Sequence, residues 1–121
     1  MKTYYAKRSD SVGGQTVYVC EEGGVPRELA IGPSLGIAHH SPDGFNWGYP
    51  GSGAAQLALA ILLDSLGRKI AVAFYQTFKF KIVADWGDSW KITDDEIDRF
   101  VGEEARKARE GLPKRAERVE S

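Results

Sequence analysis

The sequence predicts an α+β domain: a small N-terminal antiparallel sheet packed on a buried central helix, plus two further helices. Three observations carry that expectation. Segments rich in Tyr, Val and Thr, separated by glycine-containing loops, fill the first part of the chain. Residues 54–66 form an almost unbroken apolar run, the pattern of a helix buried on most sides. Thr93-Asp94-Asp95-Glu96 is a capping box that opens a last helix.

In order, residues 3–6 read as a first strand and 16–20 as a second, joined through a loop over 9–14 into an antiparallel hairpin. Glu22-Gly23-Gly24 makes the next turn. Residues 27–31 are a third strand, with Pro26 at its start or on an edge. Between residues 32 and 41 no clean period survives Pro33, Gly36 and the following Pro42. Ser41-Pro42-Asp43-Gly44 is a turn: Pro presets φ, Asp bonds locally and Gly accepts positive φ. Phe45-Asn46-Trp47-Gly48-Tyr49 alternates large aromatic with small or polar residues, which predicts a short strand showing one aromatic face.

The central helix is expected from Ser52 or Gly53 to about Leu66, with Ser52 as N-cap and Gly67 as its stop. Leu57, Leu59, Ile61, Leu62, Leu63 and Leu66 cover most of its circumference. Residues 70–84 carry two patterns. Phe78-Lys79-Phe80-Lys81-Ile82 alternates as a strand does, while Ala71, Tyr75, Phe78 and Ile82 share a helical face. The length selects a helix. Asp85 to Asp88 make a turn, Trp90 and Ile92 pack onto the core, and Ile97, Phe100 and Val101 point inward from the last helix. The domain is expected over 1–102. A charged, fraying helix and a disordered tail follow over 103–121, where both charge signs mix with Gly111 and Pro113.

Bulk properties narrow the function classes. The 121 residues are 42% hydrophobic and 27% charged, an ordinary globular balance for one domain. A net charge of -1 supplies no overall field toward nucleic acid or an anionic membrane. The single cysteine, Cys20, forms no internal disulfide. No apolar run reaches the roughly 18 residues needed to span a bilayer, and the N-terminus has no apolar signal core. A cytoplasmic protein is expected.

One segment also resembles a family of small bacterial and bacteriophage proteins catalogued as a domain of unknown function. The likeness lies in His40-Ser41-Pro42-Asp43-Gly44-Phe45, Trp47-Gly48-Tyr49, Gly51-Ser52-Gly53 and Ala55-Gln56-Leu57-Ala58-Leu59-Ala60. Tyr75-Gln76, Phe78-Lys79, Trp90 and Ile97 look like its downstream pattern, where the family is helical. The family motif often has proline at the first helical position, where this chain has Ala54. The resemblance implies no activity. It implies a phage, prophage or other mobile-element setting.

Candidate chemistry gathers at the same loop. Gly48 to Gly53 lead into a helix N-terminus, where free N–H groups and the dipole favour anions. A Walker loop would need Lys-Ser or Lys-Thr where Ala54-Ala55 stands, and a nucleophile elbow would need Gly where Pro50 stands. The plainer use of these glycines is to let Trp47 and Tyr49 lie against the helix. His39 and His40 are adjacent and would point apart on a strand, so they do not share a metal; a loop-stabilising hydrogen bond from one imidazole is the simpler role. Phe45, Trp47 and Tyr49 could stack bases, yet no basic groove lies beside them. Core packing suits Phe45 and Trp47, and Tyr49 is the candidate for exposure.

The expectation is a non-enzymatic binding protein of phage or mobile-element type, with an anti-defence role possible. It would engage a host protein or sequester a small anionic ligand. Its binding residues would be Asp43, Asn46, Tyr49, Gly51, Ser52, Gly53 and Gln56, with no cofactor, no metal and no membrane partner. The alternative is an enzyme acting on a nucleotide or phosphoester with His40, Asp43 and Ser52 as its reactive set.

Overall fold

A computed structural model describes residues 1–10 and 14–111. Four strands form one antiparallel sheet: β1 (Lys2–Lys7), β2 (Tyr18–Glu21), β3 (Arg27–Glu28) and β4 (Ser89–Thr93), in the order β3-β2-β1-β4. The helices are α1 (Gly32–Leu35), α2 (Ser52–Leu66), α3 (Arg68–Lys81) and α4 (Asp94–Glu110), with a 3-10 turn at Val83–Asp85. The α+β class is therefore correct, and no described helix is long and apolar enough to cross a membrane.

The core lies between the inner face of the sheet and α2. Alternation along the strands sends Tyr4, Ala6, Val19, Trp90 and Ile92 inward. They join Leu57, Leu59, Ile61 and Leu62 of α2 in one cluster. All ten residues from Gly53 to Leu62 are buried, because the sheet, α1, α3 and α4 together surround the helix. The alanines admit close neighbours, and α3 packs most intimately against α2. Gly67, at φ 89°, ends one helix and starts the next.

Several expectations need correction. The helix expected over 70–84 is α3, which starts two residues earlier and gives way to the 3-10 turn. The sheet was expected from the N-terminal part of the chain, but Trp90 and Ile92 belong to a fourth strand that pairs with β1. The aperiodic stretch after residue 32 contains the single-turn helix α1, with proline at its start. The third strand keeps only Arg27–Glu28.

Residues 45–49 form no strand beyond one bridge from Phe45 to Gln15. Their amides are spent elsewhere: Asn46 N–H on Gly53 O, Trp47 N–H on the Asn46 side chain, and Gly48 N–H on Val83 O. Phe45 and Trp47 are buried while Tyr49 is half exposed, so the three aromatics do not share a face. The N-cap of α2 is Gly51, with no capping side chain, and Ser52 is the first helical residue. The capping box at Thr93 and Glu96 forms as expected, with reciprocal hydrogen bonds. Past Gly102 α4 continues to Glu110, and Glu104 reaches Lys81 of α3 at 3.0 Å. Of the fraying helix and tail expected over 103–121, residues 112–121 lie outside the described residues.

Candidate functional site at the start of helix α2

The loop 41–53 and the first turns of α2 are pinned from inside. Gln56 projects from α2 into the fold and is fully buried. Its Oε1 accepts from the backbone N–H of His40 (2.8 Å) and of Ser41 (2.9 Å). Its Nε2 donates to Ser34 Oγ (2.8 Å) and to Ala38 O (3.1 Å). Ser34, itself fully buried, passes its own hydroxyl proton to Ile31 O (2.8 Å). An amide in a dry interior must be satisfied or it is costly. Here both donors and both acceptor positions are taken, so Gln56 fastens residues 31–41 to α2 and has nothing left to offer a ligand.

A second pin comes from Arg8, just past β1. Its Nη1 donates to Asn46 Oδ1 (2.8 Å), its Nη2 to Trp47 O (3.0 Å), and its Nε to Asp88 Oδ1 (3.3 Å). The guanidinium also sits 4.8 Å from the Trp47 ring centre, a cation–π contact. Asn46 passes this restraint outward, since its Nδ2 donates to the Tyr49 hydroxyl (3.3 Å). Trp47 is fixed by its indole N–H on Gly87 O (2.7 Å) and by an edge contact with Trp90.

The glycines serve close approach. A Cβ on Gly53 would stand 2.7 Å from Asn46 Cβ, and one on Gly51 would enter the Tyr49 ring. Glycine at both positions lets the loop fold down onto the helix start. Beside it opens a polar hollow of ≈ 390 Å³ bordered by Gln15, Ser41, Asn46, Tyr49, Ser52 and Gly53. The first turn of α2 carries no acidic residue, so the positive end of the helix faces this hollow without a compensating charge.

The expected binding residues thus separate. Asn46, Tyr49, Ser52 and Gly53 meet at the hollow, and Gly51 seats the Tyr49 ring. Tyr49 is 50% exposed, and Ser52 is exposed beside it. Asp43 is exposed but lines a neighbouring hollow of ≈ 290 Å³ that shares Gly44 and Phe45. Gln56 lies behind, in the interior. His40 Nε2 is 2.7 Å from the Tyr75 hydroxyl, and no hydrogen bond among the described residues joins His40, Asp43 and Ser52. No three His, Cys, Asp or Glu side chains among the described residues could hold a metal. Arg8 and Gln15 escaped the sequence reading. Gln15 accepts from Ser9 N–H (2.8 Å) and pairs its backbone with Phe45. Contacts across the fold, to Asn46 and Trp47 for Arg8 and to Phe45 for Gln15, reveal both roles at the loop.

At the other end of α2, Asp64 gathers charge. It accepts from Tyr4 Oη (2.6 Å), Lys2 Nζ (3.3 Å) and Arg27 Nη2 (2.9 Å). Burial alone would raise the Asp64 carboxyl, but hydrogen bonds from Tyr4, Arg27 and Lys2 outweigh it and hold the carboxyl below its ordinary value. Burial, then the Asp64 carboxylate, push the Tyr4 phenol well above its own.

No curated protein and no solved structure matches the chain. Residues 4–103 match the model of DUF6166, a family of unknown function. That span runs from β1 into α4 and includes the whole loop at the start of α2, so the chain belongs to this family.

Proposed function

We propose that the chain is a non-enzymatic binding protein whose contact surface is the loop 43–53, engaging a protein partner through Tyr49. One observation carries this reading. Tyr49 is half exposed, yet its hydroxyl is held by Asn46 and its ring lies on Gly51. A large aromatic fixed in place at the surface loses little entropy on contact, which is what interface anchors require. Exposed Ser52 borders the same hollow as polar rim, with exposed Asp43 on the neighbouring one. The mobile-element setting that the sequence resemblance implies would make the partner a host protein, with an anti-defence role in the cytoplasm.

A second reading has its own support. The uncapped, acid-free start of α2 borders the ≈ 390 Å³ polar hollow, which suits a small anion. Catalysis on a phosphoester has less support, because His40 is engaged with Tyr75 rather than with Ser52.

The test uses the purified chain in host-lysate capture and in thermal shift with phosphate and nucleotides. Tyr49→Ala should abolish capture while changing stability by no more than about 0.5 kcal/mol. A rise in melting temperature with phosphate, lost when Gly53 is made bulky, would favour the anion. Capture that survives Tyr49→Ala, with no anion shift, would remove both readings.

A further inference from the structure

The outer face of the sheet has no described element packed on it. Alternation sends Thr3, Tyr5 and Lys7 of β1 outward, opposite to the buried Tyr4 and Ala6. Antiparallel sheets commonly keep one face in water. This one carries an aromatic pair among its polar and charged residues. Tyr5 and Tyr18 stack with ring centres 5.8 Å apart, and Tyr18 is 40% exposed. With Lys7 and Lys91 they border an open hollow of ≈ 660 Å³.

The strand register aligns four side chains in a single row across all four strands. Glu28 pairs with Tyr18, Tyr18 with Tyr5, and Tyr5 with Lys91. Arg27 turns to the other face, where it meets Asp64, so Glu28 faces outward with Tyr18. The row reads negative, aromatic, aromatic, positive. Neither Glu28 nor Lys91 has an ion-pair partner among the described residues.

We propose that this face joins two copies of the chain. A two-fold axis parallel to the strands, lying between two facing sheets, reverses the row. It sets Glu28 opposite the partner's Lys91 and Tyr18 opposite the partner's Tyr5, then repeats both contacts by symmetry. The row is thus self-complementary, which an isologous dimer requires. Facing sheets pack about 10 Å apart with strands nearly aligned, a spacing that side chains of this size fill. Four strands at about 4.8 Å spacing make a face much smaller than the about 800 Å² per partner of a standard interface. The dimer is therefore weak and sensitive to its charges. Single-stranded nucleic acid is a poorer occupant, because Glu28 would repel phosphate at one end of the row.

Sedimentation of the full chain tests this with Glu28→Lys, Lys91→Glu and their equimolar mixture. The wild type should show a monomer–dimer equilibrium. Each single variant places like charges opposite each other and should weaken its own dimer by about tenfold or more. Mixing the two variants makes every facing pair opposite in sign, so the mixed dimer should return to wild-type strength. Circular dichroism melts establish that both variants are folded. A wild type that stays monomeric at its highest soluble concentration overturns the proposal. So does a dimer indifferent to either substitution, or a mixture no tighter than its components. A monomer whose Tyr18 and Lys91 resonances move with oligothymidylate would assign the face to nucleic acid instead.

Discussion

The two ends of helix α2 are tied to the rest of the molecule by opposite means. At its start the buried tie is neutral: Gln56 satisfies four backbone and hydroxyl groups and two glycines admit the loop at close range, with the Arg8 guanidinium added only on the loop above. At its end the ties are ionic: Asp64 draws Lys2, Tyr4 and Arg27 from β1 and β3. A neutral tie is indifferent to salt and pH, whereas a charged tie depends on both. The difference bears on function. The end held by Gln56 leaves Tyr49 and Ser52 exposed over a fixed base, while at the other end Asp64 pairs with Tyr4, Lys2 and Arg27.

The comparison can be broken at several places. The middle of α2 sets the reference: Leu62→Ala should cost about 2–5 kcal/mol in a urea melt, the range for a filled core position. Less than about 1 kcal/mol would mean that α2 is not central. Gln56→Leu should come next, at about 2–4 kcal/mol, because it takes their partner from the part-buried His40 and Ser41 amides and the Ala38 carbonyl. Its cost should be the same in low salt and in 1 M salt, where the Debye length is about 3 Å.

Asp64→Asn should cost less, about 1–3 kcal/mol, since the amide can still accept from Tyr4 but no longer pairs with the two cations. Here high salt should shrink the loss. The charged end should also shape the pH dependence. The Asp64 carboxyl is lowered in the fold, so its contribution is complete above the ordinary carboxylate value of about 3.9 and fades as pH falls through the lower folded value. The Tyr4 phenol is raised, so its contribution is complete below about pH 10 and fades as pH climbs above that. Tyr4→Phe should flatten the alkaline limb of stability against pH, and Gln56→Leu should leave both limbs in place. Smallest of all, Tyr49→Ala should move stability by about 0.5 kcal/mol or less. A larger loss would make Tyr49 part of the scaffold.

Much of the fold was legible because local signals agreed with tertiary demand. The all-round apolar run, its glycine stop and the capping box at Thr93 each depend on residues close in sequence. β4 was hidden because its pairing partner is β1, at the far end of the chain, and its five residues lie between helical segments. Residues 45–49 misled because alternation looks the same whether backbone amides go to a strand or to a helix end. Gln56 carried a usable hint. A lone amide between Ala55 and Leu57 in a helix buried on all sides has to find partners inside, which argues for scaffold over ligand. Nothing local marks Arg8, whose partners lie 38 to 80 residues away.

Amide hydrogen exchange tests the central claim most directly, namely that Gln56 locks the base of the loop and leaves its rim open. The His40 and Ser41 amides, both donated to Gln56 Oε1, should be protected to the same degree as amides in the middle of α2. The Tyr49 and Ser52 amides should exchange at rates near those of an open chain. Fast exchange at His40 and Ser41, equal to that at Tyr49, would contradict the account.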